Sequence, residues 1–240
     1  MPFKVITILL FVLPTIVFAQ FRSSVDFVGS MDYSYRHLKN SNNAPTVIEN
    51  FERRQQEEMG KINWRVGLNY NHPFSDRLFI KTGIRLASVG YKRGKTTGLR
   101  WGSEFDGMGN WTPDPNLPHE IQDMVDHWLI EIPIIGRIEL SDNQLKPFVE
   151  FGVSPHFYWK SRTKRVTDID ESVIFSNISF FKSLQMVASL SMGMAYSINE
   201  KWEILGQPIF RYHLIKTSSF SFEEHLFNYG LELGIRRQLK

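Results

Sequence analysis

The chain has no cysteine, which removes disulfides, thiolate metal sites and a cysteine nucleophile. Net charge is also scarce: 28 Lys and Arg against 25 Asp and Glu leave +3 over 240 residues. A pI of about 9.0 from so even a balance is no sign of nucleic-acid binding, and no basic patch interleaves with aromatics. Beyond the N-terminus no apolar run is long enough for a spanning helix, and mean hydropathy is slightly negative. A bundle of membrane helices is therefore excluded. No helical-period repeat and no break in composition marks a second domain.

What is present begins at the N-terminus. Met1-Pro2-Phe3-Lys4 supplies a short positive start, and VITILLFVLPTIVF (5–18) is apolar but too short to span a bilayer. Val17 and Ala19 occupy the two positions that a signal peptidase reads. Residues 1–19 are expected to be a secretory signal peptide, leaving 20–240 as one exported domain. The rival reading is a retained membrane anchor.

From there on the dominant period is two, the signal of strands. Eight are expected, near 25–37, 60–71, 77–92, 126–140, 145–160, 182–198, 202–216 and 225–239. They are longer than ordinary strands of about 5–6 residues and suit the roughly 9–11 residues of a tilted membrane strand. Short links at NHPFSD (71–76), SDNQ (141–144) and NEK (199–201) alternate with long ones at 38–59, 93–125, 161–181 and 217–224. Short turns on one rim and long loops on the other mark an outer-membrane barrel. ENFERRQQEEMG (49–60) fits a short helix, with a solvated loop preferred.

DHWLIEIPIIGRIEL (126–140) decides which face looks out. Ile130, Ile132, Ile134 and Ile138 alternate with Glu131, Arg137 and Glu139. An Arg or Lys facing lipid at the midplane costs about 2–4 kcal/mol, and carboxylates somewhat less. The charges must point inward. An eight-stranded barrel has room inside only for its own side chains, and the polar phase does concentrate small residues such as Gly67, Gly83, Gly152 and Gly193. The same phasing sends Arg36, Arg65, Lys81, Arg85, Arg137, Arg211 and Arg236 into the lumen. It sends Asp26, Asp32, Glu131, Glu139, Glu150, Glu203 and Glu232 there too. Equal numbers of each sign imply a plugged, salt-bridged interior; the alternative is charges solvated by lumen water. Trp64, Trp128 and Trp159 should lie near the long-loop rim, with Trp202 and Tyr70 near the short-turn rim.

HWLIEIPIIGRIEL followed by LKPFVEFGVSPHFY resembles the Bacteroidota outer-membrane barrel family that includes PorT. The matching positions are Trp128, Glu131, Ile132 and Pro133, then Lys146, Pro147, Phe148 and Gly152. MGMAYSINEKWEILGQPIFRYHL (192–214) is similar to the family's sixth and seventh strands, with Arg211-Tyr212 at its Arg-Tyr step. The resemblance covers most of the mature chain. It implies an eight-stranded antiparallel up-and-down barrel in a Gram-negative outer membrane, and no reaction. Barrels of this kind commonly end on an aromatic residue, where this chain has Leu239 before Lys240. Pro133 and Pro155 fall within strands, where each deletes a ladder donor; a bulge or a frayed pair is expected.

Chemical constellations are sparse. If HEIQDMVDH (119–127) were helical, His119 and Asp123 would share a face with Asp126 or His127 a turn on, a metal spacing; the other reading is a solvated loop. DIDES (168–172) lacks the glycine and distal glutamate of a calcium loop. His156 and His213 lie on lumen phases near the outer rim, with Ser154 and Glu150 on the face of His156, yet no elbow motif frames the serine. No catalytic residue, metal site or cofactor is assigned. The 92–118 loop, with Trp101 and Trp111, is the first place to seek a contact surface.

The sequence therefore reads as a non-enzymatic integral outer-membrane barrel, bathed in lipopolysaccharide and phospholipid, with no nucleic-acid partner. The family resemblance adds an envelope or secretion-accessory role with a protein partner. The alternatives are a lipid-modifying enzyme with a rim site near His156 and His213, a passive pore, and a soluble lipocalin-like carrier. Terminal sequencing of protein recovered from membranes is expected to return Gln20 as the first residue; recovery of Met1 supports the anchor.

Overall fold

The computed structural model describes residues 23–39, 45–99, 104–105, 111–112, 114, 116–176, 182–216 and 223–239; the signal-peptide segment 1–19 lies outside them. Eight long strands close into a ring. They are β1 (Ser24–Lys39), β2 (Lys61–Pro73), β3 (Leu78–Arg93), β4 in two pieces (Ile121–Glu131 and Ile134–Glu139), β5 (Leu145–Thr167), β6 (Leu184–Ser197), β7 (Trp202–His213) and β8 (Glu223–Gln238). All neighbours are antiparallel and adjacent in sequence, except β8, which returns to β1 and closes the wall from Ser24↔Gln238 to Lys39↔Glu223. Closure leaves the membrane part without an open edge, as a span in lipid requires.

The three short connections, 74–77, 140–144 and 198–201, share a rim with both ends of the ring. Ser24 pairs with Asn71 beside the first of them. The Gln238 N–H donates to the Lys201 carbonyl beside the third. This is the periplasmic rim of an outer-membrane barrel.

The alternation takes the expected phase. Ile134 is 52% exposed and Glu131 1%, and the same inversion runs round the barrel: Phe27, Leu68, Ile84, Phe151, Leu190, Ile204 and Leu233 face outward. A soluble carrier would turn these residues inward. Small residues let the wall curve this tightly: a Cβ on Gly83 would strike the Leu68 carbonyl across the ladder, and one on Gly230 the Met31 carbonyl.

Pro133 divides β4, because a residue without an N–H cannot hold the ladder. Pairing resumes in step, with Glu131↔His156 on one side and Ile134↔Val153 on the other, and the Ile132 N–H still reaches the Pro155 carbonyl at 3.0 Å. The result is a local break. The one register shift between β4 and β5 lies higher, between Trp128 and Leu129, where Leu129 faces Tyr158 and Trp128 faces Lys160. Trp159 is the extra residue.

Two expectations need correcting. The segment 49–60 is no loop: Pro45–Glu57 forms helix α1. Glu, Gln and Arg are good helix formers and proline suits a first turn, while alternation alone carries no signal for a solvent-facing helix. The second correction concerns length. β4 begins at Ile121, and β5 runs 23 residues to Thr167, pairing there with a short strand, Glu171–Ser176. Above the bilayer neither sheet face has to be uniformly apolar, so the period-two pattern fades although the strands continue.

Ile134→Arg is expected to lower stability in vesicles by about 2–4 kcal/mol, read as a drop in the denaturant midpoint. Ile169→Arg, on the exposed turn beyond Thr167, is expected to stay within about 0.5 kcal/mol. Equal effects would contradict the assigned phase.

Candidate functional site

The lumen holds side chains in layers, each set by stepping two residues along the strands. At the periplasmic end Arg236 reaches Asp26 at 2.7 Å, Glu139 at 3.0 Å and Glu203 at 3.4 Å. Arg137 pairs with Glu139 at 3.0 Å and stacks over Phe148 at 3.6 Å. Lys81 joins this layer to Glu150. One layer higher, Arg211 bridges Asp32 and Glu232, both at 2.8 Å. Arg85 meets Glu232 at 3.0 Å, and Arg65 meets Glu131 at 2.7 Å and also Asp32. Gln207 ties the layers together by donating to Glu232 at 2.7 Å and Glu150 at 3.2 Å. All fourteen charges assigned to the lumen by phase make ion pairs there. Arginine's fork allows each guanidinium to serve two or three carboxylates.

Above the ions lies a polar layer. Asn63 donates to Ser34 at 2.7 Å, and Ser34 to Asn228 at 2.5 Å. His156 and His213 meet edge-on at 5.7 Å, and His156 Nε2 lies 3.4 Å from Glu131. Both imidazoles are 0% exposed. The sequence reading put them near the outer rim; the wall continues above them, so they are enclosed instead. Ser154, also on the lumen face, is buried, and Glu150 belongs to the ion layer below.

One step further up the lumen turns apolar. Ala87, Val89, Leu129 and Leu226 pack together with Tyr158 against them. Over this seal sits a second ionic cluster that joins helix α1 to the barrel mouth. Arg36 pairs with Glu224 at 2.8 Å and with Glu58, while Arg54 of α1 reaches Glu58 at 2.8 Å and Glu224 at 3.4 Å. Arg36 also lies over the Tyr91 ring at 3.8 Å. Sequence reasoning missed Arg54, Glu58 and Glu224. Glu224 was legible: it lies in phase with Asn228 and Glu232, one residue outside the expected strand boundary.

The remaining candidates resolve separately. Residues 121–127 are strand, so the helical premise for His119, Asp123, Asp126 and His127 fails. Their partners are distinct. Asp123 takes Arg165 at 2.8 Å, and Asp126 takes Lys61 and, at 3.2 Å, Ser88. His127 Nδ1 meets Ser161 at 2.8 Å, and His119 Nδ1 the Leu99 carbonyl at 3.0 Å. In the acidic turn, Asp168 accepts the N–H groups of His119 and Glu120 at 3.1 and 3.3 Å. Desolvation opposes ionisation there and is outweighed by these donors, which hold the Asp168 carboxyl below its usual range. Trp101 and the side chain of Trp111 lie outside the described residues.

Beyond the bilayer β4, β5 and Glu171–Ser176 continue as a projecting sheet. Ile169, Val173, Ile174 and Phe175 are exposed on it. Just below, Trp64, Trp128 and Trp159 form an edge-to-face row with centroids 6.1 Å apart. Tyr70 and Trp202 stand exposed at the opposite rim, so aromatics flank the apolar belt on both sides.

No protein-family model matches the chain, and no curated protein does. Among solved structures it is similar to Neisserial surface protein A (TM-score 0.47, 10% identity, covering 90% of this chain and 97% of that one). It is also similar to the outer membrane protein OprG from Pseudomonas aeruginosa (0.42, 10%, 91% and 96%). A third is the outer membrane protease OmpT from Escherichia coli (0.39, 8%, 92% and 98%). The placement in the membrane rests on the chain's own geometry: a closed wall, an apolar exterior banded by aromatics, and an ionic interior. The protein is an integral outer-membrane β-barrel.

Glu131→Ala leaves Arg65 and Arg85 short of a counter-charge and is expected to destabilise the barrel by about 3–5 kcal/mol. Asp142→Ala, in the exposed pair with Arg77 at 2.8 Å, is expected to change stability by less than about 1 kcal/mol. Urea titration of both variants in vesicles checks the contrast.

Proposed function

We propose that the protein is a non-enzymatic, PorT-like outer-membrane component of a Bacteroidota envelope, acting as a docking accessory in secretion or envelope assembly. The observation that carries this reading is the filled lumen. Ion pairs, an apolar seal and the α1 cluster succeed one another along it above an open periplasmic vestibule of about 500 Å³ lined by Glu139, Lys146 and Glu203. Transport through the barrel and chemistry inside it both need a vacancy that these side chains take up, so function falls to the surfaces.

The projecting sheet is the best-built of those surfaces. Its outermost strand, Glu171–Ser176, pairs with β5 on one side and carries exposed Val173 and Ile174. A sheet edge with β-branched residues is suited to receiving an extended segment of a partner. The sequence resemblance supplies the envelope and secretion context.

Photo-cross-linking from Ile174 in intact cells is expected to trap one envelope protein that is not trapped from Asp142 at the opposite rim. Ile174→Asp should abolish that product and reduce export of surface proteins severalfold. Labelling of lipid alone would sink the docking role. In planar bilayers the purified barrel should give no steady current, and a large sustained conductance would overturn the sealed lumen.

A further inference from the structure

The bulge at Trp159 has a consequence for the outside of the barrel. Below it the outward residues of β5 are odd-numbered, including Phe151, Val153 and Phe157, all exposed and apolar. The extra residue shifts the phase by one. Lys160 then lies opposite outward-facing Trp128, and Arg162 and Lys164 follow on the same face. On the inner face Ser161 bonds His127, which confirms the reversal. Without the bulge these three cations would point along the lumen side; with it they stand outside.

Height places them. The fourteen steps from Leu145 to Trp159, at about 3.3 Å each and a tilt of roughly 40°, lift the chain about 35 Å, past an apolar band of about 25 Å. The cations therefore rise from the level at which the tryptophan row marks the outer interface. Lys160 Nζ lies 4.5 Å from the centre of the Trp128 ring and 5.1 Å from those of Trp159 and Phe175. The three rings hold the ammonium over the apolar belt by cation–π attraction.

These cations are not equally occupied. Lys164 pairs with Glu171 at 2.7 Å. Lys160 and Arg162 have no ion-pair partner among the described residues, and Arg162 Nε is buried without a hydrogen-bond partner. Asp126, directly across from Arg162, is taken by Lys61 and Ser88. Two cations therefore lie two residues apart at the top of a continuous greasy face whose lower part is Phe157, Ile130 and Val153.

We propose that Lys160 and Arg162 form a binding site for the phosphate headgroup of an outer-leaflet lipid, whose acyl chains lie along the exposed face of β4 and β5 beneath the tryptophans. A guanidinium fork fits a phosphate in bidentate fashion and the ammonium adds a point charge. The ligand must be amphiphilic because the site is: charge above the aromatic row, hydrocarbon below it. The site depends on the bilayer-spanning architecture and is independent of any protein partner.

Native mass spectrometry of the full mature barrel in detergent micelles tests the site, with dioleoyl phosphatidate, dioleoylglycerol and inorganic phosphate as probes. Phosphatidate is expected to bind saturably and at least tenfold more tightly than dioleoylglycerol, and to weaken severalfold at high salt. The double variant K160Q/R162Q should lose tenfold or more while keeping the heat-modifiable gel mobility of the folded barrel. Arg237→Gln, at the opposite rim over Trp202, should bind as the parent does. Equal binding of the two lipids, or unchanged binding by the folded double variant, would overturn the site. Displacement by millimolar inorganic phosphate would show an anion site without lipid character and overturn it as well.

Discussion

Everything in this barrel depends on keeping ionised side chains away from hydrocarbon. A lone charge facing the bilayer midplane costs several kcal/mol, and one buried without a partner costs more. Arranging fourteen of them along the axis meets both conditions. It also makes them mutually dependent. Asp32 serves both Arg65 and Arg211, Glu232 serves both Arg85 and Arg211, and Arg236 serves three carboxylates. A ladder of hydrogen bonds forms the wall and its strand count sets the bore, while the shared ions lock opposite sides of that wall together.

The order of the layers has a functional meaning. Ions at the periplasmic end give way to amides and imidazoles, then to the Ala87, Val89, Leu129 and Leu226 seal, then to the mouth cluster with α1. An apolar layer thus separates two ionic ones. The His156–His213 pair, a tempting catalytic arrangement on paper, sits beneath that layer, fully buried. The exterior at the outer rim is accessible, and there the sheet, the tryptophan row and the basic face of β5 all converge.

Legibility in the sequence followed the membrane. Where strands cross lipid, a wrong phase is heavily penalised, so alternation was strict and the boundaries of β1, β2, β3, β6 and β7 lay within a few residues of expectation. Outside lipid that penalty vanishes. Glu171–Ser176 and the upper part of β5 were accordingly missed, helix α1 was placed second to a loop, and Glu224 was lost at a boundary drawn one residue late. The bulge at Trp159 could not be read either, since FYWKSRTKR (157–165) gives no phase signal once apolar and basic residues follow one another.

The sequence by itself determined the count of membrane-crossing strands, the direction each side chain takes where the wall crosses lipid, and the set of charges that had to meet inside. Those follow from a period of two and a solvent that rejects ions, both local properties of the chain. Which carboxylate each arginine holds, the docking of α1 over the mouth, and the turning of Lys160 and Arg162 to the exterior were decided only by the closed tertiary structure. Each depends on the register between strands and on residues brought together across the barrel, and pairwise distances of that kind have no representation in a linear pattern.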